Sequence, residues 1–415
     1  MEIQIPYGMT KIIREAEPSR VMIPKTEELK SLRPGVEIVR EAMERPIGSP
    51  RLSELSRGKR TCTLIISDHT RPVPSKDIIP LMLEELREGN PDIDVTLLVA
   101  TGCHRETTRA ELTKKLGEDI VRREKIVVHD AVTPGNNVFI GTLPSGAPLY
   151  IDRLAAKTEL LIAEGFIEPH FFAGYSGGRK AVLPGICDRK TVLGNHSGAF
   201  IESPFSRTGV LTGNPIHEDM VRAGELAKLS YIVNVIIDEE KKTVAAFAGD
   251  FKAAHEAGTV FLRKYAEVKA VYGDIVVTSN GGAPLDQNIY QCVKCMSAAE
   301  AAAKEGGRII VLAECADGIG GDSFYKSLKE CASPGALFKE FSETPPEKTI
   351  PDQWQSQILC RILMKHRVIF VTRPELKDII RDMKMEYAPD LDTALSMAGE
   401  GEITWIPNGI SLVVS

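Results

Sequence analysis

Short, β-branched apolar runs recur along the chain, each giving way to a turn and then to a stretch with apolar residues every three or four positions. They fall at 61–67 (TCTLIIS), 95–101 (VTLLVAT) and 161–167, then at 231–238 (YIVNVIID), 274–279 (DIVVTS), 308–314 (RIIVLAE) and 367–372 (RVIFVT). Near-continuous apolar strands alternating with amphipathic helices predict an α/β fold of largely parallel sheets flanked by helices. A charged helical pattern at 251–269 precedes the fresh start at 274. The boundary is therefore expected near 270, with one α/β domain over 1–270, a second over 271–415, and the active site in the cleft between them. The 415 residues exceed what one core organises at ~150 residues per domain.

Composition narrows the class without naming a function. A net charge of −6, 43% hydrophobic and 26% charged residues exclude broad disorder and a nucleic-acid surface built on net positive charge. The first twenty residues scatter acids among apolar positions, unlike a signal peptide. The uncharged run Ala131 to Ile151 holds three prolines and reads as loop and short strands, not a membrane span. Eight cysteines are too dilute for a disulfide framework, so a reducing cytoplasm is expected.

In open α/β sheets ligands gather at the loops leaving the carboxyl ends of strands. The first such loop carries Asp68, His69, Thr70 and Arg71 between the strand and Pro72-Val73-Pro74, with Ser75 expected to cap the next helix. The bland reading is a charged surface turn; two prolines stiffening an acid, an imidazole and a guanidinium favour function. The second holds Gly102-Cys103-His104-Arg105, followed by Thr108-Arg109-Ala110-Glu111 with capping-box spacing. A lone His104 there is ordinarily a solvated loop residue.

The third and longest loop runs from Glu168 through His170, Phe171, Phe172, Gly177, Gly178 and Arg179 to Lys180. It is no Walker A loop, because Ala181 follows the lysine where Ser or Thr is needed. A lysine fixed beside glycines in a pocket can instead bond covalently to a carbonyl-type carbon. His196 follows between small residues, with no His, Cys or carboxylate near it at metal-ligand spacing. In the second domain a helix expected from about Asp286 places Gln287, Tyr290, Gln291 and Lys294 on one face and Ile289, Cys292, Val293 and Met296 on the other. Trp354 fits core or pocket equally well. The pair Cys292 and Cys295 lies within that helix without a partner pair, and Asp317 to Asp322 reads as a flexible turn near the cleft.

Taken together, Asp68-His-Thr-Arg-Pro-Val-Pro74, Ala100-Thr-Gly-Cys-His104, the stretch Glu164 to Lys180, Asn195-His-Ser-Gly198 and Pro284 to Lys294 resemble the nickel-pincer lactate racemases. The resemblance covers nearly the whole chain, and five motifs in series are far more specific than any one. It implies a nickel-pincer nucleotide, a pyridinium mononucleotide gripping nickel through two sulfurs and a ring carbon, joined to Lys180 as a thioamide. His196 would be the protein ligand on nickel, and His104 and His170 the acid/base pair. Asp68, His69, Thr70 and Arg71 would hold the nucleotide. Arg71, Gln291 and Lys294 would bind substrate, with Tyr290 and Trp354 as pocket neighbours. The implied partners are a small 2-hydroxy acid and the machinery that makes the cofactor, with neither nucleic acid nor membrane. Lactate is the expected substrate. A racemase or epimerase of another 2-hydroxy acid, and a non-catalytic carrier of the nickel cofactor, are the competing readings.

Overall fold

The computed structural model describes residues 1–415 and contains two α/β domains. The first sheet has six strands in the order Thr243–Gly249, Leu229–Ile237, Leu160–Phe166, Thr61–Ser67, Asp94–Ala100, Lys125–Val128. All neighbours are parallel except the Thr243 edge strand. The second sheet is wholly parallel, in the order Glu386–Ala388, Arg367–Val371, Ala303–Leu312, Gly273–Ser279, Ile403–Ile406. Strand residues such as Leu64, Leu97, Ile162, Val276 and Ile310 are fully buried, because helices cover both faces of each sheet.

Chain direction across the first sheet decides where a ligand can sit. From the Thr61 strand the chain moves outward through Asp94 and Lys125, then returns to the other side of its starting strand with Leu160 and Leu229. Connections leave in opposite directions beside the Thr61 and Leu160 strands, opening a crevice above their carboxyl ends. The second sheet repeats the device between the Gly273 and Ile403 strands. An apolar cluster runs unbroken from Ile65 and Leu161 through Phe172 and Val192 to Val276 and Cys292, so the two domains are packed together beneath the cleft.

Two local expectations give way to better partners. Ser75 opens the helix Ser75–Gly89 without capping it; its hydroxyl donates to the buried Glu164 carboxylate at 3.0 Å, which offers a full charge. The helix expected from Asp286 begins at Ile289, where Asn288 accepts from Gln291 N at 3.0 Å. Asp286 is turned elsewhere: its Oδ2 accepts from Gly8 N at 2.7 Å and Glu314 N at 3.1 Å. This joins the N-terminal hairpin, Glu2–Tyr7 with Thr10–Glu15, to the second domain. Ile3 and Ile5 of the hairpin pack on Ile275, Val277 and Ile310 of the second sheet.

Asp286→Ala would leave two main-chain donors unpaired, at a cost of roughly 2–4 kcal/mol. The expected outcome is a lower urea midpoint together with accelerated hydrogen exchange at Gly8 and Glu314. Unchanged exchange at both amides would show that Asp286 does not hold the hairpin.

Candidate active site

Side by side at the crevice, the Thr61 and Asp94 strands deliver Asp68 and His104 to each other. Asp68 is 1% exposed, and its Oδ2 lies 2.6 Å from His104 Nδ1. Its Oδ1 accepts from Thr70 N at 3.1 Å and Thr70 Oγ1 at 2.7 Å. Burial works to raise this carboxyl, but the hydrogen bonds from His104 and Thr70 and the nearby charges outweigh it and hold Asp68 below the usual carboxylate range. With Nδ1–H directed at a carboxylate, His104 presents Nε2 as its basic atom. The capping box Thr108/Glu111 forms as expected just beyond. His69 turns to the buried Thr107, whose Oγ1 lies 3.1 Å from its Nδ1, and exposed Arg71 accepts at its carbonyl from Lys115 Nζ. Asp68 thus faces the catalytic candidate His104 as well as the loop assigned to the nucleotide.

The Leu160 strand delivers His170 and Lys180. His170 lies against Phe171 and Phe172, at ring separations of 5.2 and 4.5 Å, and its Nδ1 accepts from Ala173 N at 3.3 Å. Burial, then the charges of Lys180, Lys294 and Arg71, push its pKa well below the ordinary imidazole value. Neutral His170 therefore carries its proton on Nε2, the opposite arrangement to His104. Lys180 is likewise pushed well below the ordinary lysine value by burial, with the Arg179 and Arg71 charges adding to it. An unprotonated amine is the nucleophilic form. Glycine is required just before it: a Cβ at Gly177 (φ 79°) would stand 2.6 Å from Asn234 Oδ1, and one at Gly178 (φ 53°) 2.8 Å from the His255 ring.

Sequence reasoning passed over Arg179, which the structure buries completely. It donates to Ala173 O at 2.8 Å, Gly177 O at 3.2 Å and Ser176 O at 3.3 Å, and its Nη1 lies 2.8 Å from His255 Nε2. In the chain Arg179-Lys180 looks like any basic pair, so no local signal separates the two. Glu168 was quoted in the motif without a role. Its side chain is open to water in the cleft; burial by the walls raises its carboxyl, against the pull of Lys294 and Arg71.

His196 ends the helix Arg189–Asn195 and is 6% exposed. Its Nδ1 donates to Val192 O at 2.9 Å, which leaves Nε2 as the lone pair. Its ring lies 5.2 Å from Phe172 and 5.0 Å from Trp354, so Trp354, which also packs against the core, stands beside His196. The Ile289–Glu300 helix turns half-buried Tyr290, Gln291 and Lys294 away from fully buried Ile289, Cys292, Val293 and Met296, the two faces expected from the sequence. No three His, Cys, Asp or Glu side chains gather as a metal cage, so a metal at His196 needs donors from elsewhere.

Two family models match the chain. The lactate racemase N-terminal domain matches residues 7–209, and the lactate racemase C-terminal domain matches residues 268–414. The chain belongs to the lactate racemase family. Lactate racemase of Thermoanaerobacterium thermosaccharolyticum is 48% identical over 420 aligned residues, covering 99% of both chains. Lactate racemase of Lactiplantibacillus plantarum is 51% identical over 383, covering 91% of this chain and 90% of the relative. The solved lactate racemase apoprotein from T. thermosaccharolyticum superposes with a TM-score of 0.96 at 48% identity, over 100% of both chains. A Thermotoga maritima protein of 19% identity shares the fold, at a TM-score of 0.65 over 92% of this chain and 98% of that one. No helix of this family member is long and apolar enough to cross a membrane.

Four imidazoles around the site, His196 and His255 buried and His170 and His217 half-buried, are held toward the neutral form. Burial lowers His196 and His217 to about 3 and pulls His170 and His255 well down. The unfolded chain takes these protons near pH ~6.5, so below that pH it binds more protons than the folded state. Stability therefore falls as pH falls, by up to about 1.4 kcal/mol per pH unit for each histidine. Urea midpoints at pH 7.5, 6.5 and 5.5 should decrease in that order, with a flatter slope in His217→Gln. Equal slopes would refute the assignment for that residue.

Proposed function

We propose that this protein interconverts D- and L-lactate, with His104 and His170 as the acid/base pair and a nickel-pincer nucleotide held by Lys180 and His196. The observation that carries the reading is the pairing of two histidines of opposite ring polarity with a neutral, half-buried lysine in one crevice. The donor set suits the cofactor. His196 offers one fixed nitrogen whose other ring N–H is tied to a carbonyl, the usual state of a metal-ligating imidazole. Lys180 offers an amine for attachment. The cofactor, when bound, supplies the hydride acceptor and donor that the protein lacks.

What the chain contributes follows from charge. Removing the C2 proton of a 2-hydroxy acid would put a second negative charge beside its carboxylate, which no side-chain base near neutral pH readily forms. Removing the hydroxyl proton as hydride departs avoids that charge and leaves a transient keto acid, pyruvate from lactate. His104 Nε2 takes that proton from one enantiomer; His170 serves the other through Nε2, which requires its Nδ1 to hold a proton in place of the bond from Ala173 N. Asp68 fixes the His104 tautomer and compensates the imidazolium. Lys294 and Arg71 hold the substrate carboxylate, Gln291 and Tyr290 line the pocket beside them, and Phe171, Phe172 and Trp354 exclude water. Asp68, His69, Thr70 and Arg71 border the nucleotide. Lactate is chosen over other 2-hydroxy acids on the strength of the two relatives; the mechanism itself suits either.

Protein produced with the cofactor pathway should exceed the chain mass by the nucleotide, and Lys180→Ala should lose the increment. His104→Ala and His170→Ala should keep nickel and mass but lose racemisation by ~10²-fold or more, read by chiral chromatography. Wild-type protein that binds nickel but turns over no 2-hydroxy acid would favour a carrier; turnover of malate or gluconate without lactate would move the substrate.

Asp68→Asn makes a sharper test. Thr70 N and Oγ1 both donate to Oδ1 and hold the amide oxygen on their side, so the new NH2 faces His104 and forces its proton onto Nε2. Racemisation should fall ~10²- to 10⁴-fold with the Lys180 mass unchanged. A near-normal rate would remove Asp68 from the mechanism.

A further inference from the structure

Trp354 and His196 belong to different domains, yet their rings meet edge-on with centres 5.0 Å apart. Three glutamines surround that indole in sequence, and all are shut away from water. Gln353, Gln355 and Gln357, at the start of the helix Gln353–Leu363, are each no more than 2% exposed. Glutamine is seldom so buried unless its amide is bonded. Here each amide nitrogen donates to a main-chain carbonyl of a different segment. Gln353 Nε2 reaches Phe341 O at 3.4 Å, on the helix Pro334–Glu343, and Gln355 Nε2 reaches Tyr290 O on the helix Ile289–Glu300. Gln357 is the one of the three that crosses the domain boundary: its Nε2 lies 2.9 Å from Gly198 O and 3.1 Å from Ser342 Oγ. Gly198 stands two residues beyond His196 and opens the short helix Gly198–Glu202. A Cβ at Gly198 would collide with the Phe341 carbonyl, so glycine lets the chain after His196 close directly onto the second domain.

We propose that Gln357 is a positioning residue for the reaction: its amide holds the turn after His196 against the second domain, so that His196 keeps one orientation relative to Trp354 and the substrate-binding helix. The inference rests on the racemase reading for its use and on the hydrogen bonds for its existence. Trp354 and Gln357 are three residues apart and share a helix face, one packing on the His196 ring and the other bonding the chain just past it. The amide can sit only one way round. A carbonyl only accepts, so Nε2 must face Gly198, and the Ser342 hydroxyl then accepts from the same nitrogen. That leaves Gln357 Oε1 buried with no partner. An unpaired buried acceptor costs stability, and a methionine of similar length would fill the space without that cost. Packing alone therefore does not account for a glutamine here, whereas a directed bond to Gly198 does. Gln353 and Gln355 tie the same stretch of helix to Phe341 and Tyr290, which fixes the donor's own position. Gln357 acts through the Gly198 main chain and touches no reacting atom.

Two substitutions of similar length separate the bond from the packing. Gln357→Met removes the donor and keeps the bulk, while Gln357→Glu sets an acceptor oxygen against Gly198 O and turns attraction into repulsion. The chain has two tryptophans, and the other, Trp405, sits in the second sheet beside Val21, so a change in emission reports Trp354. In cofactor-free protein the emission maximum should move in Gln357→Met and move further in Gln357→Glu, with far-ultraviolet circular dichroism unchanged. In holoenzyme carrying the full Lys180 mass increment, kcat should fall roughly 10-fold in Gln357→Met and further in Gln357→Glu, with a smaller change in KM. If Gln357→Glu does not fold, the uncharged Gln357→Met decides by itself. Emission unmoved in Gln357→Met would overturn the proposal, because packing would then be all that this side chain supplies. Moved emission with an unchanged kcat would also overturn it, since the turn would shift without consequence for the reaction, and would leave the racemase reading intact. A holoenzyme of wild-type sequence that racemises nothing would fail that reading instead, with the emission series still deciding whether Gln357 holds the turn.

Discussion

A guanidinium buried without a carboxylate is the constraint around which the first domain's site is arranged. Arg179 has no acid partner; its two terminal nitrogens meet three carbonyls of one short stretch, those of Ala173, Ser176 and Gly177, beside the His255 ring, while its Nε has no partner. Leaving the terminal donors unmet as well in so dry a place is expensive, so the stretch must curl around the side chain. The curl fixes everything nearby. It brings Ala173 N to His170 Nδ1, it forces the positive φ at Gly177 and Gly178, and it sets Lys180 in a half-buried position with a fixed positive charge next door.

The second constraint is topological. Reversal of strand order beside the Thr61 strand places the loops after residues 67, 100 and 166 in one crevice, although up to about a hundred residues of sequence separate them. The chain between does ordinary structural work. The helix Ser75–Gly89 covers the sheet and anchors Glu164 through Ser75, and the hairpin Asn137–Thr142 with Pro148–Asp152 occupies the proline-rich run that the sequence marks as loop and short strands. Candidate site residues thereby gather at three strand ends, and Asp68 meets His104 because neighbouring parallel strands end at one level.

Fold class was legible because a strand buried on both faces leaves an unmistakable apolar run, and parallel pairing leaves room for a helix between runs. The candidate site residues were read from the motifs, and the chemistry proposed for them from the resemblance. What stayed hidden were relations between distant residues. Nothing in the pattern of Ile3 and Ile5 says which sheet buries them, since alternation marks a buried face but not its partner. Asp286 and Ser75 read as ordinary helix starts, and only a partner far away in sequence, Gly8 for one and Glu164 for the other, changes their role. Arg179 was silent for the same reason: a buried charge has no signature in a single chain.

Electrostatics ties the lysine to the substrate. The chain as a whole carries −6, yet Arg71, Arg179, Lys180 and Lys294 converge on a crevice whose nearest acids are Asp68, already committed to His104 and Thr70, and Glu168, whose carboxyl burial drives upward. Gathered cations raise the cost of one more positive charge, and the group that yields is the most deeply desolvated amine, Lys180. The same gathering attracts an anion. A neutral nucleophilic lysine and a cleft that draws carboxylate and phosphate are therefore one physical fact seen from two sides. Burial is the larger cause of the Lys180 shift and the cations add to it, so weakening the cations to ease substrate release would also remove part of what disfavours the charged form of the amine that would hold the cofactor.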